Sequence, residues 1–397
     1  MPKLLSIDEA LVRVLARARP LGSERVSVHE AAGRVLAEAV VSAVDLPPFR
    51  SSAMDGYALR AADTPGTLPV VFRVAAGAPA DRPLAPGEAM AISTGAFVPE
   101  GADTVAPIEV VAEQDNMLRV PEAAVAGAHI RPVGGDVRSG EPLLAAGTLL
   151  GAAQVGALAA AGVAEVAVGR RPAVAVLSTG TELRRPGEPL APGQIYESNG
   201  PMLAAAFASA GALVERIGPV ADDEGEHRAA LVRGLEADVL VSSGGVSVGP
   251  HDLVRRVLAE LGAEEDFWGV AVRPGKPLAF GSRGRTLVFG LPGNPVSSLV
   301  AVELFVRPAL LALQGASTPG PRWETGRLAA AIGRNVARDE LVRARRALDS
   351  GGTLLEPLGG QESHMIARAA GADALVLVPA GDGELAAGEQ VRFLALG

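Results

Sequence analysis

Between Ala173 and Leu313 the chain alternates two textures. Ala173–Leu177, Ala212–Ile217, Val239–Ser242 and Val288–Gly290 are short, continuous apolar runs. Such runs suit strands that are covered on both faces. The segments between them, Asn199–Ala210, Asp222–Leu235 and Leu253–Leu261, read as helices. Strand and helix in alternation predict a doubly wound α/β unit over 171–318. In that reading Asn199 caps its helix and the Asp222-Asp223 pair opens the next. Asn294 and Pro295 supply a cap and a first helical residue to a fourth.

The rest of the chain has a different rhythm. Ser6-Ile7-Asp8-Glu9 is a capping box. Behind it Ala10, Leu11, Val14, Leu15 and Ala18 give one apolar helix face, which Pro20 and Gly22 end. Ser27-Val28-His29-Glu30 repeats the box ahead of Ala31, Val35, Leu36 and Ala39, and predicts a second helix with His29 at its surface. From about Val44 to Arg131 turn formers and β-type runs such as Pro69–Ala75 and Thr104–Val111 dominate. Scaffold-like sequence returns at Pro132–Val168, with an Ala-rich helix at Gly151–Gly162 and a strand at Ala164–Val168. After Gly320 come β-type runs at Arg327–Ile332, Arg343–Leu348, Thr353–Glu356, Ala374–Val378 and Val391–Leu396. The expected organisation is a multi-domain α/β plus β protein. A discontinuous scaffold (1–43 and 132–170) holds an inserted mostly β part (44–131), followed by the α/β domain (171–318) and a small barrel-like β domain (319–397).

Chemistry concentrates in loops placed just after the α/β strands. Ser178-Thr179-Gly180-Thr181-Glu182 follows the first strand. Ser242-Ser243-Gly244-Gly245-Val246-Ser247 follows the third and runs on to Asp252. Leu291-Pro292-Gly293-Asn294-Pro295-Val296-Ser297 follows the last, and Arg273-Pro274-Gly275-Lys276-Pro277 lies between. Ligands of open α/β sheets lie beyond the carboxyl ends of the strands, so these loops are expected to converge on one pocket. Glycines admit a ligand close to the backbone, and successive N–H groups cradle anions. Serines, Arg273 and Lys276 suit a phosphate or oxyanion, while Glu182, Asp222 and Asp252 suit magnesium or ribose hydroxyls. Each has a plainer reading. Asp222 alone reads as a helix cap, Asp252 as cap or metal ligand, and Glu182 as a solvated loop residue. Ser297 reads as a cap-region hydroxyl, Asp55-Gly56 and Gly359–His364 as turns. Arg338, Arg343, Arg345 and Arg346 read as a solvated strand face. The prolines around Lys276 fix its direction, which argues against an incidental lysine.

Composition narrows the partners. The 397 residues are 48% hydrophobic, and neither a secretory leader nor an apolar run of bilayer length stands out, so a cytoplasmic location is expected. A net charge of −9 and 3% aromatic residues argue against nucleic acid. The absence of cysteine excludes disulfides and thiolate metal sites, and five scattered histidines argue against zinc. Any metal is expected to be a hard cation on carboxylate and phosphate oxygens.

Taken together, PPFRSSAMDGYA (Pro47–Ala58), STGTEL (Ser178–Leu183), SSGGVSVG (Ser242–Gly249), RPGKP (Arg273–Pro277) and LPGNPVS (Leu291–Ser297) closely resemble the molybdopterin molybdenumtransferase family, to which MoeA and the gephyrin E domain belong. The resemblance covers essentially the whole chain. It implies insertion of molybdenum from molybdate into adenylylated molybdopterin, with magnesium assisting and AMP released. It implies a homodimer in which the MDGYA loop of one subunit faces the α/β pocket of the other, and a molybdopterin adenylyltransferase as upstream partner. Asp55 and Thr94 would complete the partner's site, and Glu182, Asp222 and Asp252 would be the functional carboxylates and magnesium ligands. Substrate would be held by Ser178 and Gly180 of the first loop and by Ser242, Gly244, Gly245 and Ser247 of the second. Lys276 and the Pro292-Gly293-Asn294 turn would complete that set. Arg273, Lys276, Ser297, Arg338 and Ser363 would receive molybdate.

Three positions depart from the family pattern. Gly269 stands where relatives often have lysine, Arg273 where many have lysine, and Glu197 where aspartate is more usual. An adenylyltransferase would need only the α/β part. A clustering scaffold would need a peptide groove that nothing here marks. A dinucleotide binder would need a G-x-G-x-x-G after its first strand.

Overall fold

The computed structural model describes residues 4–244 and 253–396. Its centre is a six-stranded sheet in the order 213–220, 173–179, 239–243, 286–291, 279–283, 264–268. The first four strands are parallel, 279–283 runs against them, and 264–268 pairs antiparallel with 279–283 at the edge. The alternating pattern foretold the parallel part. The antiparallel edge follows from Ala279–Arg283 turning back at Gly284, too short a link for a crossover helix.

Helices cover both faces. On one, Val257, Leu258 and Leu231 pack on Leu177 and Leu240. On the other, Phe207, Phe305 and Leu310 pack on Val176, Val241 and Phe289. The N-terminal helix Ile7–Arg17 joins this second face through Ile7, Ala10 and Val14, and its capping box forms as read. The run Pro295–Leu313, with a π turn at Val302–Val306, is 19 residues long and apolar enough to span a bilayer, contrary to expectation. Its 72% burial inside the protein explains that composition.

The second expected helix is absent. Ser27 does receive the His29 amide, but only a single turn, Val28–Glu30, follows. The chain then extends, because Val35 and Leu36 pair with Leu149 and Val168 and are fully buried there. Long-range pairing outweighs the local helix signal. Around this core, Ser23–Ser27 pairs with Glu165–Gly169 and Val40–Val41 with Pro142–Leu144, beside the helix Ala152–Ala160.

Residues 56–120 build a second six-stranded sheet, with Ala58, Met90 and Val105 at its centre. Asp55-Gly56 is no turn here. Gly56 starts the strand Gly56–Leu59, and a Cβ on it would stand 2.1 Å from the Ala106 carbonyl oxygen. Gly56→Ala is therefore expected to cost about 1–3 kcal/mol, read as a lower melting temperature of the purified protein.

At the C-terminus strands 339–349, 352–357, 323–328, 390–395 and 374–378 close on themselves as a barrel, since the first also pairs with the last. Val272–Arg273, leaving the central sheet, adds in parallel to Asp339–Glu340. That pairing ties the RPGKP loop to the barrel.

Candidate active site

The carboxyl ends of the parallel strands open into a cleft of about 1110 Å³. Four loop segments are stitched together at its floor. Asn199 does not cap its helix with its side chain. It is the first residue of Asn199–Ser209, 8% exposed, and its Nδ2 donates to Ser243 Oγ at 2.6 Å and to the Gly293 carbonyl at 2.7 Å. Gly244 sits at φ +95°, and a Cβ there would meet the Thr179 carbonyl and hydroxyl oxygens at 3.0 Å. Its amide donates to the Leu291 carbonyl. These approaches require glycine at 244 and set the serine-rich loops edge to edge.

Below them lies Glu197, 3% exposed. Its carboxylate accepts from Ser178 Oγ at 3.0 Å, from the Gly200 amide, and from Arg216 at 3.4 Å. A Cβ on Gly200 would stand 2.7 Å from that carboxylate, so the glycine makes room for the longer acid.

The two acids at 222 and 223 divide the work. Asp223 is the helix cap and accepts from the Glu226 amide at 2.9 Å. Asp222 is thereby left to the cleft, where its Oδ2 accepts from the Thr181 hydroxyl at 3.0 Å. The plain reading of Asp222 as cap is thus overturned by its neighbour. Glu182, exposed, lines the same cleft. Gly180 at φ +150° lets that side chain fold back, since a Cβ would meet its carboxylate at 2.6 Å.

Ser178, Gly180, Gly244, Gly293 and Asn294 line the cleft with these acids, together with residues to which the sequence gave no individual part in the site: Thr179, Glu197, Asn199, His227, Ser243, Arg256 and His364. The signal for Ser243 over Ser242 was strand alternation. Ser242, 1% exposed, points to the opposite face and lines a separate apolar cavity of about 360 Å³ with Leu258 and Phe280. The structure thus does not bring the Ser242 side chain to the cleft with the other expected substrate contacts. Pro292 is also outside the lining, and its carbonyl accepts from Ser298 Oγ at 2.6 Å. Gly245, Ser247 and Asp252 lie outside the described residues.

Beside the cleft a seam joins the central sheet to the barrel. Asn294 takes the cap position by backbone, but its Nδ2 donates to Ser363 Oγ at 2.9 Å. The Ser363 carbonyl accepts from the Val296 amide at 3.1 Å, which brings Ser297's turn alongside. Arg273 sits 3.5 Å from Glu340, Lys276 is half-buried three residues on, and Arg338 directly precedes the paired Asp339. The five expected molybdate residues thus belong to loops that meet at this seam, and none lines the cleft itself.

Arg343 was expected on a solvated face but is 1% exposed. It donates to the carbonyls of Gly360 (2.7 Å), Met365 (3.0 Å) and Glu362 (3.3 Å) and to Gln361 Oε1 (3.2 Å). Burial pushes its guanidinium below the usual arginine range. It holds the loop that carries Ser363 and His364. Gly269 has φ +91°, where a longer side chain is strained, and a Cβ there would have to displace the tip of Leu4, 2.6 Å away.

Asp55 and Thr94 come together away from the cleft lining, the Thr94 amide donating to Asp55 Oδ1 at 2.7 Å. Next to them Tyr57 donates to Glu113 at 2.5 Å. Burial, then Glu113, raises the tyrosine above its ordinary range, while that hydrogen bond is the main reason Glu113 lies below its own.

No cluster of three or more His, Cys, Asp or Glu poised for a metal exists among the described residues. Of the three cleft carboxylates Glu197 is taken up by Ser178, Gly200 and Arg216, so Glu182 and Asp222 are the donor set that remains. That suits magnesium, which is held by one or two carboxylates plus substrate phosphate oxygens and waters. A serine- and glycine-lined cleft at a strand-end crevice, with two acids on its rim, is the ligand-binding arrangement of an open α/β protein.

Comparison with known proteins makes this specific. The model of the MoeA N-terminal region (domain I and II) matches residues 5–162, that of a probable molybdopterin binding domain 175–312, and that of the MoeA C-terminal region (domain IV) 325–396. Molybdopterin molybdenumtransferase 2 of Mycobacterium tuberculosis is 38% identical over 97% of both chains. The molybdopterin molybdenumtransferase of Haemophilus influenzae is 34% identical over 98% of both. A crystal structure of a molybdopterin biosynthesis MoeA protein from Pyrococcus horikoshii superposes with a TM-score of 0.75 at 33% identity, covering 99% of each chain. The chain belongs to the molybdopterin molybdenumtransferase family and is a transferase.

Proposed function

We propose that this protein inserts molybdenum from molybdate into adenylylated molybdopterin, releasing AMP, in the last step of molybdenum cofactor synthesis. The observation that carries the proposal is the floor of the cleft, where Asn199 ties Ser243 to Gly293 and Gly244 lies against Thr179, so that three strand-end loops face one ligand. Backbone amides and hydroxyls there donate to phosphate oxygens. Glu182 and Asp222 would hold magnesium, which would supply charge neutralisation to the phosphoanhydride. Cleavage of that bond needs positioning and charge neutralisation far more than a protein nucleophile. The seam of Arg273, Lys276, Ser297, Arg338 and Ser363 receives the molybdate dianion beside the cleft. Arg273 does so with a fork rather than a point charge.

In this reading the working unit is a cytoplasmic homodimer. Asp55 and Thr94, joined to each other but remote from their own chain's cleft lining, complete the partner's site. A molybdopterin adenylyltransferase supplies the substrate. The test mixes purified protein with adenylylated molybdopterin, magnesium and molybdate and follows AMP. Release that requires molybdate is expected. Nucleotide that binds but is never released, with or without molybdate, would replace the reading with a binding role.

A further inference from the structure

The helix Glu224–Gly234 turns His227, Ala230, Leu231 and Gly234 inward, the spacing of a buried stripe. An aliphatic side chain would fill the first place on that stripe without polar cost. The chain carries an imidazole there instead, 2% exposed. Neither Nδ1 nor Nε2 has a hydrogen-bond partner among the described residues. Buried polar groups are ordinarily paired, so an unpaired one that faces a ligand cleft points to a contact made there. His227 and Asp222 both line the cleft, and Nε2 lies 4.0 Å from Asp222 Oδ1. The other carboxylate oxygen is already held by the Thr181 hydroxyl at 3.0 Å.

We propose that His227 is a positioning residue for Asp222. A small rotation of the carboxylate lets Nε2–H donate to Oδ1 while Thr181 keeps Oδ2, which fixes the plane of the acid toward the ligand. Asp222 needs such a clamp because Asp223 takes the helix-cap bond that would otherwise anchor it. The inference rests on the proposed function for its ligand, though not for its geometry.

Two readouts test it on the full-length protein. Long-range ¹H–¹⁵N correlation of the histidine side chains reads the pairing with no ligand present. His227 is expected as the Nε2–H tautomer, with its ¹⁵N shifts altered in Asp222→Ala. Identical imidazole shifts in the two proteins would overturn the proposal, whatever the enzyme catalyses. Calorimetry with AMP and magnesium reads the consequence. His227→Leu, suited to the apolar stripe, is expected to fold and to bind about tenfold more weakly. His227→Gln, whose amide reaches the place of Nε2, restores most of that loss. In an Asp222→Ala background His227→Leu adds less than about twofold. An undiminished loss in that background means that the imidazole touches the ligand directly and overturns the clamp, as does His227→Leu binding like wild type. Altered shifts in a protein that releases no AMP would leave the clamp standing and remove only the proposed reaction.

Discussion

Asp222→Ala is expected to lower molybdate-dependent AMP release by about 10²–10³-fold, the usual consequence of deleting one preorganised electrostatic contact. Stability is expected to move by no more than about 1 kcal/mol, because the side chain is 55% exposed, caps nothing and gives up only the Thr181 hydroxyl and the His227 contact. Asp223→Ala is the matched control, one residue away. It removes the acceptor for the Glu226 amide and should cost about 1 kcal/mol of helix stability while turnover persists. The pair separates two acids that composition cannot tell apart. Steady-state AMP release and thermal melts of both variants decide it. An active Asp222→Ala, or an inactive but stable Asp223→Ala, would reverse the roles assigned here.

The sequence was most legible where period and chemistry agree. Continuous apolar runs ending in glycine and serine located the parallel strands, and with them the loops that form the cleft floor. The capping box at Ser6 formed because its helix has an apolar face to bury against Phe305 and Leu310. An identical box at Ser27 failed because Val35 and Leu36 are recruited into pairings more than a hundred residues away along the chain. Local signals cannot announce such partners. The same blindness hid Asn199, Glu197 and His227, whose meaning lies entirely in what the fold sets beside them. Ser242 and Ser243 differ only in which sheet face each points to, a distinction that follows from strand alternation once the register is known.

Arg343→Met is expected to be strongly destabilising, at about 3–5 kcal/mol, since each acceptor stranded by the change costs about 1–3 kcal/mol. The guanidinium is 1% exposed, and its forks satisfy the carbonyls of Gly360, Glu362 and Met365 together with Gln361 Oε1. Methionine fills comparable space but donates nothing, so those acceptors lose their partner in a place water does not reach. Arg343→Lys keeps the charge and loses the fork, and falls between the two. The damage should be local before it is global. Hydrogen exchange of residues 358–366 is expected to quicken first, because Arg343 fastens that loop to its strand. Ser363 leaves Asn294 as the loop loosens, so the molybdate KM rises more in Arg343→Lys than the Kd for AMP, which loses only the His364 side of a cleft otherwise set by the strand-end loops. Equal loss of both affinities in a folded Arg343→Lys would mean that the barrel loop and the cleft form one site rather than two adjoining ones.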